Sequence, residues 1–138
     1  MRGTSETNEL NDTRSWTYDA ARNDLTATDR NGHVIEFNYD NLQRLVQELW
    51  KQSSTTLNTI DYAYDAASQL TAVADDVSAY AWTYDGLGRV TQVDNAGTSV
   101  GPHVVFHSTY NASGWRTTNR AVVDGTNDFI NTYNYDHL

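Results

Sequence analysis

The residues able to do chemistry in this chain are carboxylates and imidazoles. There are 18 Asp and Glu, four His and no Cys. Two carboxylates facing each other across a cleft would suit glycoside hydrolysis. Asp75-Asp76 and Asp94-Asn95 gather oxygens of the kind calcium takes, without the EF-hand spacing. His103 and His107 share a face of an extended strand but lie about 13 Å apart, too far to chelate one metal. His33 and His137 stand alone. The chain has no phosphate loop, dinucleotide fingerprint, HExxH or nucleophile elbow. Most carboxylates sit instead where a backbone turn explains them. No catalytic residue, metal ligand or cofactor is assigned on this reading.

The carboxylates belong to a recurring Tyr-Asp pair. It appears in RSWTYDAARNDL (14–25), FNYDNLQRL (37–45), DYAYDAASQL (61–70), AWTYDGLGRV (81–90) and NTYNYDHL (131–138), with a degenerate copy in STYNASGWRT (108–117). The tyrosines fall at 18, 39, 64, 84, 110 and 135, at intervals of 21, 25, 20, 26 and 25 residues. Such spacing suits a common unit with loops of variable length.

Within a unit, an aromatic residue stands two places before the Tyr. The pairs are Trp16/Tyr18, Phe37/Tyr39, Tyr62/Tyr64, Trp82/Tyr84 and Tyr133/Tyr135. A spacing of two puts both rings on one face of a strand, whereas a helix would splay them by about 200°. Asp followed three residues later by Gly, as in Asp85 and Gly88, is a turn signal. The carboxylate accepts backbone N–H groups and Gly takes a positive φ. A type I turn ending in a Gly bulge makes a three-residue hairpin loop. That register sets Tyr84 opposite Val90, Tyr39 opposite Leu45 and Tyr64 opposite Leu70. It also brings Arg89 against Asp85.

Three copies depart from the pattern. The Gly position holds Arg22, Gln43 and Ser68 in three units, which predicts looser turns or another type. In the first unit Asp24 stands where the aliphatic residue belongs and Leu25 comes one place late, so an extra loop residue is expected there. Second turns are expected at DRNG (29–32), SSTT (53–56), DDVS (75–78), NAGTSVGP (95–102) and DGTN (124–127).

The fold expected is all-β. It is an antiparallel meander of about eleven short strands, near 13–18, 24–29, 33–39, 44–51, 57–64, 69–74, 79–84, 89–94, 103–110, 115–123 and 128–135. The sheet should be strongly twisted and curled. Residues 1–12 read as a flexible leader and 13–138 as a single repeat domain. The composition agrees: 38% hydrophobic residues, nine Tyr and four Trp place amphipathic rings where an aliphatic core would otherwise be. The formal charge of −9 argues against nucleic acid and anionic membrane surfaces as partners. No apolar run approaches the roughly 18–20 residues of a spanning helix. Asn11-Asp12-Thr13 and Asn111-Ala112-Ser113 match the short acceptor pattern for N-glycosylation.

The repeated YDxxGR-aliphatic-T unit, clearest in YDGLGRVTQVDNAG (84–97), resembles the YD repeat of the Rhs family. That family includes bacterial Rhs effectors, shell subunits of insecticidal toxin complexes and teneurins. The resemblance runs from about residue 14 to the end. It implies a ribbon of β-hairpins spiralling into a hollow shell, which in toxins encloses a C-terminal segment and in teneurins belongs to an adhesion ectodomain. It also implies a secreted or cell-surface protein. The residues carrying it are Tyr18, Asp19, Tyr39, Asp40, Tyr64, Asp65, Tyr84, Asp85, Gly88, Arg89, Tyr110, Asn111, Gly114, Tyr135 and Asp136.

The chain ends inside a unit and reads as a piece of a longer repeat protein. The function expected is structural, a length of shell wall, and not enzymatic. Expected partners are other repeats of the same protein or an enclosed C-terminal segment. Two open sheet edges also invite self-association. The leading alternative is a carbohydrate or cell-surface binding module with Trp16, Trp82 and Trp115 as contacts. A glycosidase is the third reading.

Overall fold

Turn chemistry and period-two aromatics dictate a sheet of hairpins, and the computed structural model, which describes residues 2–136, is built that way. The strands are β1 (Arg2–Thr7), β2 (Thr13–Tyr18), β3 (Asp24–Thr28), β4 (His33–Tyr39), β5 (Leu45–Gln52), β6 (Thr55–Tyr64), β7 (Leu70–Ala74), β8 (Ala79–Tyr84), β9 (Val90–Asp94), β10 (Val104–Tyr110), β11 (Arg116–Val123) and β12 (Thr126–Thr132). Strand order follows chain order, an antiparallel meander. Its first strand, β1, lies in the stretch read as a leader and pairs with β2 from Arg2↔Tyr18 to Thr7↔Thr13.

Contacts group the strands into two compact units, the first ending at Tyr62 and the second starting at Ala63. In the first, β1 to β6 pair in succession. In the second, β7 to β12 do the same.

Each unit has an aromatic face. Opposite residues of an antiparallel pair share a face. In the first unit the register Trp16↔Ala27, Ala27↔Ile35, Ile35↔Trp50 therefore lays one row across four strands. In the second, Trp82↔Val93, Val93↔Phe106, Phe106↔Ala121, Ala121↔Phe129 lays a row across five. The reverse face carries threonine pairs, with Thr17 and Thr26 hydroxyls 2.7 Å apart and Thr83 and Thr91 at 3.0 Å.

Burial is shallow. Among the described residues only Val105 and Ala121 are buried. Phe106 and Phe129 stand on either side of Ala121 with ring centres 6.4 Å apart. They cover its methyl group and leave it 2% exposed.

Two expected features are corrected. The first unit needs no extra loop residue, because Tyr18 pairs directly with Asp24 in the register the other units use. The Asp19 turn is closed by its own hydrogen bonds, so a polar residue opposite the Tyr does not shift it. The turn at 124–127 is also shorter than expected. Asp124 and Gly125, both at positive φ, connect Val123 directly to Thr126.

Candidate functional site

Every Tyr of the repeat within the strands is a last residue: Tyr18 of β2, Tyr39 of β4, Tyr64 of β6, Tyr84 of β8 and Tyr110 of β10. The next residue, Asp or Asn, opens a turn of fixed chemistry. In the turn 85–89, the Asp85 N–H donates to the Arg89 carbonyl (2.9 Å) and the Gly88 N–H to the Asp85 carbonyl (3.0 Å). Asp85 Oδ1 accepts the N–H groups of Leu87 (2.9 Å) and Arg89 (3.0 Å), and Oδ2 accepts Arg89 Nε–H (2.7 Å). One carboxylate thus satisfies two loop donors and anchors the side chain four residues on.

The same frame recurs. Asp40 accepts Leu42 and Arg44 N–H and Arg44 Nε–H. Asp65 accepts Ala67 and Gln69 N–H and the Gln69 amide. Asp19 accepts Asn23 N–H and its amide. Asn111 accepts Trp115 N–H. The residue at the fourth place is Asn23, Arg44, Gln69 or Arg89, each able to donate from its side chain; that signal is visible in the sequence. The frame also closes hairpins that lack the Tyr. Asn8 accepts Leu10 and Asp12 N–H, and Asp29 accepts Asn31 and His33 N–H.

The loss of Gly does not loosen these turns. Arg22 (φ 74), Gln43 (φ 60) and Ser68 (φ 63) take the left-handed conformation of Gly88 (φ 76) and Gly114 (φ 85). Each donates its N–H to the Asp three residues before. The carboxylate network outweighs the steric cost of positive φ, which is about 1–2 kcal/mol for a side-chain-bearing residue.

The turn carboxylates are held in their ionised form. The Arg89 guanidinium bonded to Asp85, followed by the Arg89 N–H, keeps its carboxyl below the usual range. For Asp40 the Arg44 N–H leads. For Asp19 it is the Asn23 amide, and for Asp29 the His33 side chain. Tyr39 shifts upward, through desolvation first and then the charges of Asp24, Asp19 and Glu48.

The tyrosines join one hairpin to the one before. Tyr84 donates its hydroxyl to the Leu70 carbonyl (2.6 Å), Tyr110 to Val90 (2.8 Å) and Tyr135 to Arg116 (2.7 Å). Each acceptor is the first residue of the strand that follows the preceding turn: β7, β9 and β11. Arg89 adds a second link. Its Nη1 donates to the Asn111 carbonyl (3.2 Å) and its guanidinium lies 4.6 Å from the Tyr110 ring centre. Tyr135 reaches its partner although β12 ends at Thr132. The turn that Asp136 would open lies outside the described residues, as does His137.

Each of the three tryptophans expected as contacts has its own surroundings. Trp115 is 49% exposed and meets Tyr135 edge-on at 4.4 Å. Trp82 is half-buried beside Tyr80, ring centres 6.3 Å apart. Trp16 is half-buried and lines an open cleft of about 400 Å³ with Trp50, Ala27, Ile35 and Leu57. Trp50, exposed at the cleft, was not singled out in the sequence because it lies outside the Tyr-Asp pattern. Its Nε1 and the Tyr62 hydroxyl both donate to Glu48, at 3.0 and 2.8 Å.

Asp75 and Asp94 are tied up locally. Asp75 Oδ1 accepts Val77 and Ser78 N–H. Asp94 Oδ1 accepts Ala96 N–H and contacts His103 Nε2 at 2.9 Å. Among the described residues no three His, Asp or Glu gather as metal ligands.

The teneurin YD-shell family model matches residues 6–137. Among solved structures, TcdB2-TccC3-Cdc42 matches with a TM-score of 0.76 at 18% identity. TcdB2-TccC3-TEV matches at 0.75 and 15%, and TcdB2-TccC3 without its hypervariable C-terminal region at 0.73 and 16%. Each match covers 94% of this chain and 8% of the other. No curated protein matches.

Proposed function

Because the chain belongs to the teneurin YD-shell family, we infer that it is a length of shell wall whose task is to enclose or present other segments of the same polypeptide. The observation that carries this is the repeated Tyr hydroxyl to carbonyl bond, from Tyr84, Tyr110 and Tyr135 to the preceding hairpin. A wall one sheet thick cannot rely on a deep core. It has to hold each hairpin to the next through bonds that repeat with the sequence, and these do. In that role the chain carries no catalytic group, and its partners are neighbouring repeats and whatever the shell surrounds. Further repeats would continue the meander and curl it. Membership of the family supports a secreted or surface-exposed setting, which a Cys-free wall allows.

The chain spans 8% of the length of the structures it matches, so the test uses the longest natural polypeptide that carries it. Segments flanking the repeats should resist a protease that digests the same segments made alone. Equal digestion in both settings overturns the reading.

A further inference from the structure

The cleft between Trp16 and Trp50 takes no part in the turns or the tyrosine links. Its shape follows from register. Trp16, Ala27, Ile35 and Trp50 stand in one row on the aromatic face. The two large rings flank Ala27 and Ile35, and the row is lowest at Ala27, which offers only a methyl group. Three strand spacings separate the two tryptophans along the row, about 14 Å. The volume, about 400 Å³, lies in the range of small-ligand sites. Arg14 lies over Trp16, 5.2 Å from the ring centre, and steadies it.

The charges around the cleft decide what class of ligand fits. Each of the two permanent cations already has its own carboxylate: Arg14 pairs with Glu6 at 2.5 Å and Lys51 with Glu36 at 2.6 Å, while His33 Nδ1 lies 2.9 Å from Asp29 Oδ2. An acidic ligand therefore meets no unmatched permanent cation. Asp29 and His33 also line the cleft, and the Nε2 of His33 takes no part in its contact with Asp29, which is made by Nδ1. A ligand complementary to this has apolar ring faces, hydroxyl edges and no net charge. We propose that the Trp16–Trp50 cleft binds a neutral saccharide, with the C–H face of a sugar ring against tryptophan and its hydroxyls bonded to the Asp29/His33 pair.

A glycan array bearing neutral and acidic oligosaccharides tests this with the chain itself, the variants Trp50→Ala and Ala27→Leu, and Trp115→Ala as a control outside the cleft. Binding should be confined to neutral glycans. It should weaken about tenfold in Trp50→Ala, the loss of one aromatic contact, and in Ala27→Leu, which fills the floor. Trp115→Ala should bind unchanged. Ala27→Leu removes no ring, so it keeps the test readable if Trp50→Ala fails to fold by circular dichroism. Retention of no glycan, retention of acidic glycans alone, or binding indifferent to both cleft variants overturns the proposal. Capture from a peptide array, lost in the same variants, would assign the cleft to a protein segment and overturn it equally.

Discussion

The hydroxyl of Tyr110 donates to the backbone carbonyl of Val90 at 2.8 Å. The bond ties the strand that ends one repeat to the strand that begins after the previous turn. Tyr84 does the same to Leu70 at 2.6 Å. Removing the hydroxyl leaves a half-buried carbonyl without that partner and keeps the ring packing. Tyr110→Phe and Tyr84→Phe should each lower stability by about 1 kcal/mol. Tyr133→Phe, whose ring is 39% exposed, should change nothing measurable. Urea unfolding of the three variants distinguishes these outcomes. Equal behaviour of all three would remove the tyrosine link from the account of the wall.

Arg22, Gln43 and Ser68 hold positive φ inside turns that Gly fits better. Replacing each by Gly relieves the left-handed strain and costs some unfolded-chain entropy. The net expectation is about 0.5–1 kcal/mol of added stability per site. The reverse change is unfavourable. A Cβ on Gly88, at φ +76, would also lie 2.9 Å from Gln69 Oε1, so Gly88→Ala should cost about 1 kcal/mol or more. Thermal unfolding measures both directions. Destabilisation by the Gly substitutions would mean that the native side chains contribute more than the φ strain costs.

How much of this was legible in the sequence follows from how local each feature is. The Tyr-Asp register was legible because Tyr84↔Val90 and Tyr39↔Leu45 depend only on a five-residue turn. The turns at Arg22, Gln43 and Ser68 are tighter than the missing Gly predicts, because the Asp carboxylate is the anchor and Gly only an easement. The hairpin of β1 was missed because Asn8 builds the same turn without Tyr or Gly. The cleft was out of reach for another reason. Trp16 and Trp50 are 34 residues apart and meet only through the register of two intervening strands, which no single motif encodes.

Acid should weaken the turns. The carboxyl groups of Asp19, Asp29, Asp40, Asp85 and Asp94 lie below their ordinary values in the folded chain. A depressed folded pKa contributes stability above the unfolded value, and that contribution is lost as pH falls through the folded one. Stability should therefore hold from neutral pH down to about 4, the unfolded value, and decline below it. Tyr39 acts at the other end. Its folded pKa is raised, so its contribution is present below about 10 and lost as pH rises through the folded value. Arg89→Gln, which copies Gln69 of the neighbouring turn, should be less stable at pH 7 and decline less steeply in acid, because the main influence holding Asp85 down is gone. A denaturation series from pH 2 to about 11 reads both limbs. An acid limb as steep in Arg89→Gln as in the parent would show that Asp85 contributes little to it.

At Gly97 the Cβ of a neighbouring hairpin leaves no room for a side chain. The loop after β9 folds onto the β7–β8 hairpin: Ser99 N–H donates to the Val77 carbonyl at 2.9 Å and Thr98 Oγ1 to the Ala79 carbonyl at 3.2 Å. A Cβ on Gly97 would stand 2.3 Å from Ala79 Cβ, so the backbone must move and those bonds stretch or break. Gly97→Ala should cost about 1–3 kcal/mol, in the range of overpacked sites. The cause is a single atom pair, so Ala79→Gly should restore most of the loss when combined with Gly97→Ala, although Ala79→Gly alone weakens β8 slightly. A double-mutant cycle by urea unfolding gives the coupling. Additive losses would mean that Gly97 serves the loop backbone rather than the contact with Ala79.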